Sequence, residues 1–81
     1  MYYVYVLRSE KDSDKLYIGF TNNLERRINQ HNTKPTCSYT KSHQPWKLEC
    51  YIAVKSKEQA ESLERYLKTG SGVAFLNKRL L

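Results

Sequence analysis

The chain opens on six consecutive aromatic and aliphatic residues, Tyr2-Tyr3-Val4-Tyr5-Val6-Leu7, and this run constrains the fold more than any other feature. A strand with water on one face alternates apolar and polar side chains; a run that is apolar at both parities fits a strand covered on both faces. Residues 2–7 are therefore predicted to form the central strand of a small sheet. Residues 9–15 are polar and charged, a hairpin-type loop, and residues 16–20 resume the strand pattern. The two runs are predicted to pair antiparallel.

The remaining periodicities supply the rest. Asn22, with Glu25 three residues on, signals a helix start, and Leu24, Ile28 and His31 recur at helical spacing to about Asn32. Residues 33–45 carry no period and read as a long surface connection. Residues 46–54 alternate, with Leu48, Cys50, Ile52 and Val54 on one face and Lys47, Glu49, Tyr51 and Ala53 on the other. Ser56 and Gln59 form a capping box for a helix with the stripe Ala60, Leu63 and Leu67, ending at Gly70. Ser71 opens a last helix to about Leu80, with Val73, Leu76 and Leu80 inward. The expected class is α/β of the α+β kind: a three-stranded antiparallel sheet flanked by about three helices, in the order ββα-βαα.

With 81 residues there is surface for one core, so a single domain over 1–81 is expected. Lys and Arg number 14 against 8 acids, giving 14 − 8 = +6, and that charge on so small a surface favours a polyanionic partner, nucleic acid foremost. No apolar stretch approaches bilayer length and no basic region precedes a secretory-type run, so a cytoplasmic setting without membrane contact is expected. Cys37 and Cys50 are the only cysteines. Two make no disulfide framework, no CxxC pair is present, and the spacing of His31, Cys37, His43 and Cys50 matches no zinc module, so free thiols in a reducing compartment are expected.

Three polar intrusions into apolar stripes require an account. Arg27 and His31 lie four apart beside Leu24 and Ile28; Glu64 lies four beyond Ala60; Asn77 falls between Leu76 and Leu80. Burying such groups unpaired costs several kcal/mol. Either Arg27 and Glu64 pair across helices while His31 and Asn77 are satisfied in the core, or the side chains converge on a cleft: a carboxylate for a metal, an arginine for a phosphate, a histidine for proton handling. On the sheet, even register would bring Tyr5, Tyr17 and Gly19 to one face, where glycine leaves room for a ligand or a facing group.

Tyr3-Val4-Tyr5, Tyr17-Ile18-Gly19, the R-x-x-x-H spacing of Arg27 and His31, and Glu64 on a helix after the third strand together resemble the GIY-YIG nuclease superfamily. Tyr3 and Val4 stand where the first half of the motif has Gly and Ile, whereas Tyr17 to Gly19 match its second half fully. The likeness covers essentially the whole chain and is strongest to small stand-alone members related to the catalytic domain of the excision-repair endonuclease. It implies phosphodiester cleavage with one divalent ion, Mg²⁺ or Mn²⁺. By this resemblance Glu64 is the metal ligand, Tyr5 takes the proton from the attacking water, and Tyr17 positions water or phosphate. Arg27 stabilises phosphoryl charge, His31 shuttles a proton or holds the phosphate, and Asn77 matches the family's late Asn. Stripe positions and strand parity predict that Tyr5, Tyr17, Arg27, His31 and Glu64 line one concave surface.

A free phenol has a pKa near 10, so a metal or Arg27 must lower that of Tyr5 for base catalysis at neutral pH. A hard cation that keeps waters and takes a substrate phosphate needs no more than one carboxylate. DNA is expected ahead of RNA, and specificity is left to loops, to a targeting protein or to a homodimer. The alternatives are a non-catalytic nucleic-acid-binding module of the same fold and an oligomer-forming scaffold. Ser38-Tyr39-Thr40-Lys41 and Lys68-Thr69-Gly70 mimic acyl-enzyme motifs, but 81 residues cannot build that fold. Lys41, Lys47, Lys55, Lys68, Lys78 and Arg79 read as a surface for phosphate backbone or as a solvated charged face.

Overall fold

The computed structural model describes residues 1–34 and 38–81; the Cys37 thiol and its place in the His/Cys set lie outside them. Three strands, β1 (Tyr2–Ser9), β2 (Leu16–Thr21) and β3 (Trp46–Val54), form an antiparallel sheet in the order β2-β1-β3. The opening run is thus central, as its two-sided apolarity requires, and Val4, Tyr5, Val6 and Leu7 are all buried. Among the described residues four helices complete the fold: α1 (Leu24–Thr33), α2 (Ser38–Ser42), α3 (Lys57–Leu67) and α4 (Gly70–Arg79).

Parity along β1 divides the core into two layers. Val4 and Val6 join Ile18, Ala60, Leu67 and Leu76, so α3 and α4 cover that face. Tyr5 and Leu7 join Trp46, with Tyr17, Leu24 and Ile28 packed on them, so α1 covers the other. Tyr5 pairs with Gly19 and Leu7 with Tyr17 across the β1–β2 ladder, the register that sets both tyrosines and the glycine on the α1 face.

The structure corrects the sequence reading at five points. The helix count is four, because the connection expected at residues 33–45 contains α2, a turn with too few residues to show a period but held by tertiary bonds. Trp46 Nε1 donates to the Thr40 carbonyl (2.9 Å) and the Tyr39 hydroxyl to that of Leu16 (2.9 Å). In β3 the strict alternation breaks: Val6 pairs with Cys50 but Leu7 with Leu48, leaving Glu49 as the extra residue of a bulge. The bulge moves Leu48 and Trp46 to the Tyr5 face, where Trp46 becomes core, and Glu49 pairs with Arg8 Nε at 3.0 Å. The cap of α1 is Asn23, whose side chain accepts from Arg26 N–H, because Thr21 still pairs with Tyr3 and its Oγ1 takes the Asn23 N–H.

Gly70 does not stop α3; it begins α4, capped by Thr69 rather than Ser71. Thr69 N–H closes onto the Tyr66 carbonyl while its Oγ1 accepts from Gly72 N–H, so one residue ends one helix and starts the next. The inward stripe of α4 is Gly72 and Leu76, whereas Val73 and Leu80 are exposed. Gly72 sets this rotation, since a Cβ there would sit 1.9 Å from the Tyr66 carbonyl oxygen.

Candidate active site

The α1 face of the sheet gathers four of the six residues singled out from the sequence. Asn23 fixes where α1 begins, and from there the helical repeat places Arg27 and His31 over β1 and β2, beside Leu24 and Ile28. His31 is 2% exposed and its Nε2 lies 2.9 Å from the hydroxyl of Tyr5, itself 1% exposed. Arg27 Nε donates to the same hydroxyl at 3.4 Å, and its Nη1 donates to Gln30 Oε1 at 3.1 Å. Tyr17 lies over this chain, its ring 4.7 Å from that of His31 and 6.3 Å from that of Tyr5. It is half-buried, and so is the phenol of the pair with access to solvent.

Gly19 makes the arrangement fit. A Cβ at this position would lie 2.6 Å from Tyr5 Oη and 3.2 Å from Tyr17 Cε2. The room left by glycine is thus filled by the facing phenol, the second of the two uses open to it in the sequence.

The electrostatics follow from burial. Burial pushes the Tyr5 phenol up to about 12, against the lowering effect of the Arg27 hydrogen bond; the charges of Tyr17 and Glu64 push the same way as burial. Arg27 alone therefore does not lower this group, contrary to one of the two routes considered above. Burial, aided by the charge of Arg27, drives the His31 imidazole down to about 4. The phenol hydrogen bonds, that of Tyr5 foremost, hold the Arg27 guanidinium above its ordinary value. At neutral pH the chain is a cation, a phenol and a neutral imidazole. With Arg27 donating to Oη, the Tyr5 O–H is directed at His31 Nε2, which accepts.

Glu64 and Asn77 are not part of this hydrogen-bonded group. Glu64 sits on α3, the layer across the sheet from α1; it is half-buried and pairs with Lys68 at 3.5 Å, not with Arg27. It reaches the site through its field, since its charge acts on the Tyr5 phenol. The cross-helix Arg27–Glu64 pair is absent: Arg27 is taken by Tyr5 and Gln30. Asn77 is exposed on α4 rather than set between core leucines, because α4 is rotated to turn Gly72 and Leu76 inward. Among the described residues no group of three or more His, Cys, Asp or Glu side chains is placed to hold a metal.

Three residues that the sequence reading passed over contribute to the same face. Gln30 steadies the guanidinium from three positions along α1, a spacing that could have marked it. Trp46, the one tryptophan, is the floor of the site. Asn32 fastens the end of α1 to β3 by accepting from Trp46 N–H (2.6 Å) and donating to the Trp46 carbonyl (2.9 Å). The sequence holds no signal for the last two, because their roles depend on the bulge at Glu49 and on the meeting of α1 with β3.

Comparison with known proteins identifies what the chain resembles. A profile of the GIY-YIG catalytic domain matches residues 1–75, a span that includes Tyr5, Tyr17, Arg27, His31 and Glu64 and ends before Asn77. A UPF0213 protein of Clostridium perfringens is 43% identical over 68 residues, spanning 84% of this chain and 71% of its own length. Another, from Limosilactobacillus reuteri, is 42% identical over 69 residues, spanning 83% and 70%. The solution NMR structure of the UPF0213 protein BH0048 from Bacillus halodurans shares the fold, with a TM-score of 0.56 and 31% identity, covering 96% of this chain and 84% of that one.

Proposed function

Because the chain belongs to the GIY-YIG catalytic-domain family, a family of nucleases acting on nucleic acid, we propose that it is a divalent-metal-dependent endonuclease that hydrolyses phosphodiester bonds, with DNA as the substrate. The observation that carries the reading is the chain of half-buried Arg27, buried Tyr5 and buried His31 beside the half-buried Tyr17. A binding module has no use for a phenol held between a guanidinium and a neutral imidazole away from water. The inner and outer placement of the phenols divides the work. Tyr17 meets the phosphate or the attacking water, and Tyr5 links that position to His31, whose neutral Nε2 is an acceptor at physiological pH. Arg27 directs N–H donors to Tyr5 and Gln30 within the protein, and the donors left over are available to phosphoryl oxygens, where developing charge is best stabilised.

Glu64 is the residue that would hold the ion. A single half-buried carboxylate, paired among the described residues with an exposed lysine, suits one hard cation that keeps waters and shares a substrate phosphate, Mg²⁺ or Mn²⁺. When bound, such an ion would polarise the phosphoryl group and reverse the sign of the charge that Glu64 now exerts on Tyr5. The test is a nicking assay on several DNA and RNA forms with Mg²⁺ or Mn²⁺, run beside filter binding without metal and thermal melts. Glu64→Gln should leave metal-free binding within about twofold of wild type and lower cleavage by orders of magnitude. Full cleavage by a folded Glu64→Gln protein rejects the metal ligand; tight binding by the wild type with no cleavage of any form returns the protein to the non-catalytic binding reading.

A further inference from the structure

The short helix α2 presents an aromatic ring that the mechanism does not use. Tyr39 is 40% exposed, and its hydroxyl donates to the Leu16 carbonyl at 2.9 Å. The polar tip thus already has a partner within the protein, and the ring is the part left for a new contact. The ring is fixed on several sides: it lies 5.9 Å from Trp46 and 4.7 Å from His43, tilted against them at 31° and 38°. His43 Nδ1 donates to the Tyr39 carbonyl, and buried Ser9 donates to the His43 carbonyl at 2.6 Å. A tyrosine held this way loses little rotamer freedom when something stacks on it. Its position matters as much, because its ring centroid is 6.3 Å from that of Tyr17.

We propose that the exposed face of Tyr39 is a base-stacking subsite, which takes one unpaired nucleobase of the substrate strand beside the phosphate met by Tyr17 and Arg27. Every base has a π-face that stacks on an aromatic side chain without regard to sequence. A base inside a duplex has both faces covered by its neighbours, so the ring selects one that is already unstacked. The charge on the same helix fits a polyanion: Lys41 is in its last turn, and among the described residues it is not paired with a carboxylate. Asp12 acts on the Tyr39 hydroxyl, the end already taken by Leu16. The placement of the phosphate rests on the nuclease reading; the stacking itself does not.

The experiment uses a single-stranded oligonucleotide carrying 5-iodouracil and the wild-type protein without metal. Irradiation should yield a crosslinked peptide containing Tyr39. In parallel, Tyr39→Leu should weaken binding of the plain single strand by about fivefold or more, with a change under about twofold on a blunt duplex of equal length. Tyr39→Phe, which keeps the ring and loses the anchor, should stay within about threefold of wild type on both. Crosslinks that fall only on other residues overturn the proposal, as do equal losses on single strand and duplex, or a Tyr39→Phe loss as large as that of Tyr39→Leu. If these results hold and no metal restores cleavage, the subsite stands and the nuclease reading fails.

Discussion

Tyr5 and Gly19 face each other across the β1–β2 ladder, and the missing side chain of one is the space occupied by the phenol of the other. That contact keeps the hydroxyl within 2.9 Å of the buried His31 imidazole. Its folded pKa of about 4 lies below the ordinary 6.5, so the unfolded chain takes up the proton first as pH falls. The stability contributed by neutral His31 is complete above about pH 6.5 and is lost progressively down to about pH 4, a total of about 3 kcal/mol. Denaturant titrations at several pH values should show the wild type losing more stability over that window than His31→Gln, which cannot titrate. Parallel stability curves for the two proteins would mean that His31 ionises freely in the folded state. An imidazole NMR titration with a midpoint near 4 would confirm the cause directly.

Among the elements, the α3–α4 joint depends most on a single residue. Gly72 lets the first turn of α4 touch the last turn of α3, since a Cβ would lie 1.9 Å from the Tyr66 carbonyl oxygen and 2.5 Å from Leu67 Cα, both backbone atoms. Gly72→Ala must therefore displace α4 and with it Leu76, at a cost of about 1–3 kcal/mol. A Cβ at Gly70 meets nothing within 4 Å. Gly70 shows no positive φ, so Gly70→Ala should be neutral or stabilise by about 0.4–1 kcal/mol through the unfolded chain. Thermal melts of the two variants measure this contrast, and similar melting temperatures would show that the joint yields. The same joint explains why the sequence signal for the end of α3 falls too late, at Gly70. Glycine after a helical stripe is the usual sign of a stop, but Thr69 ends α3 with its N–H and caps α4 with its hydroxyl, and that double use is visible only when both helices are in place.

For the whole molecule, the net charge of +6 makes association with nucleic acid depend on counterion release. Between 50 and 200 mM salt the affinity for a single strand should fall by about tenfold or more, the response to neutralising a few phosphates. A flat response by filter binding would assign the basic surface to another kind of partner. No helix among the described residues is long and apolar enough to cross a membrane. Much of the architecture was legible from one dimension, because it rests on local periodicity. The two-sided run of β1 required a central strand, parity brought Tyr5, Tyr17 and Gly19 to one face, and helical spacing brought Arg27 beside His31. The tertiary structure decided the remainder, where the outcome depends on contacts between residues distant in sequence. The bulge at Glu49 turns Trp46 into the floor of the site, and bonds from Trp46 and Leu16 hold residues 38–42 as a helix with no periodic signal. Close packing at Gly72 turns Asn77 out to solvent. Whether Tyr5 is a phenol and His31 a neutral base was likewise beyond the sequence, because ionisation follows desolvation, and desolvation exists only once the layers have closed over the pair.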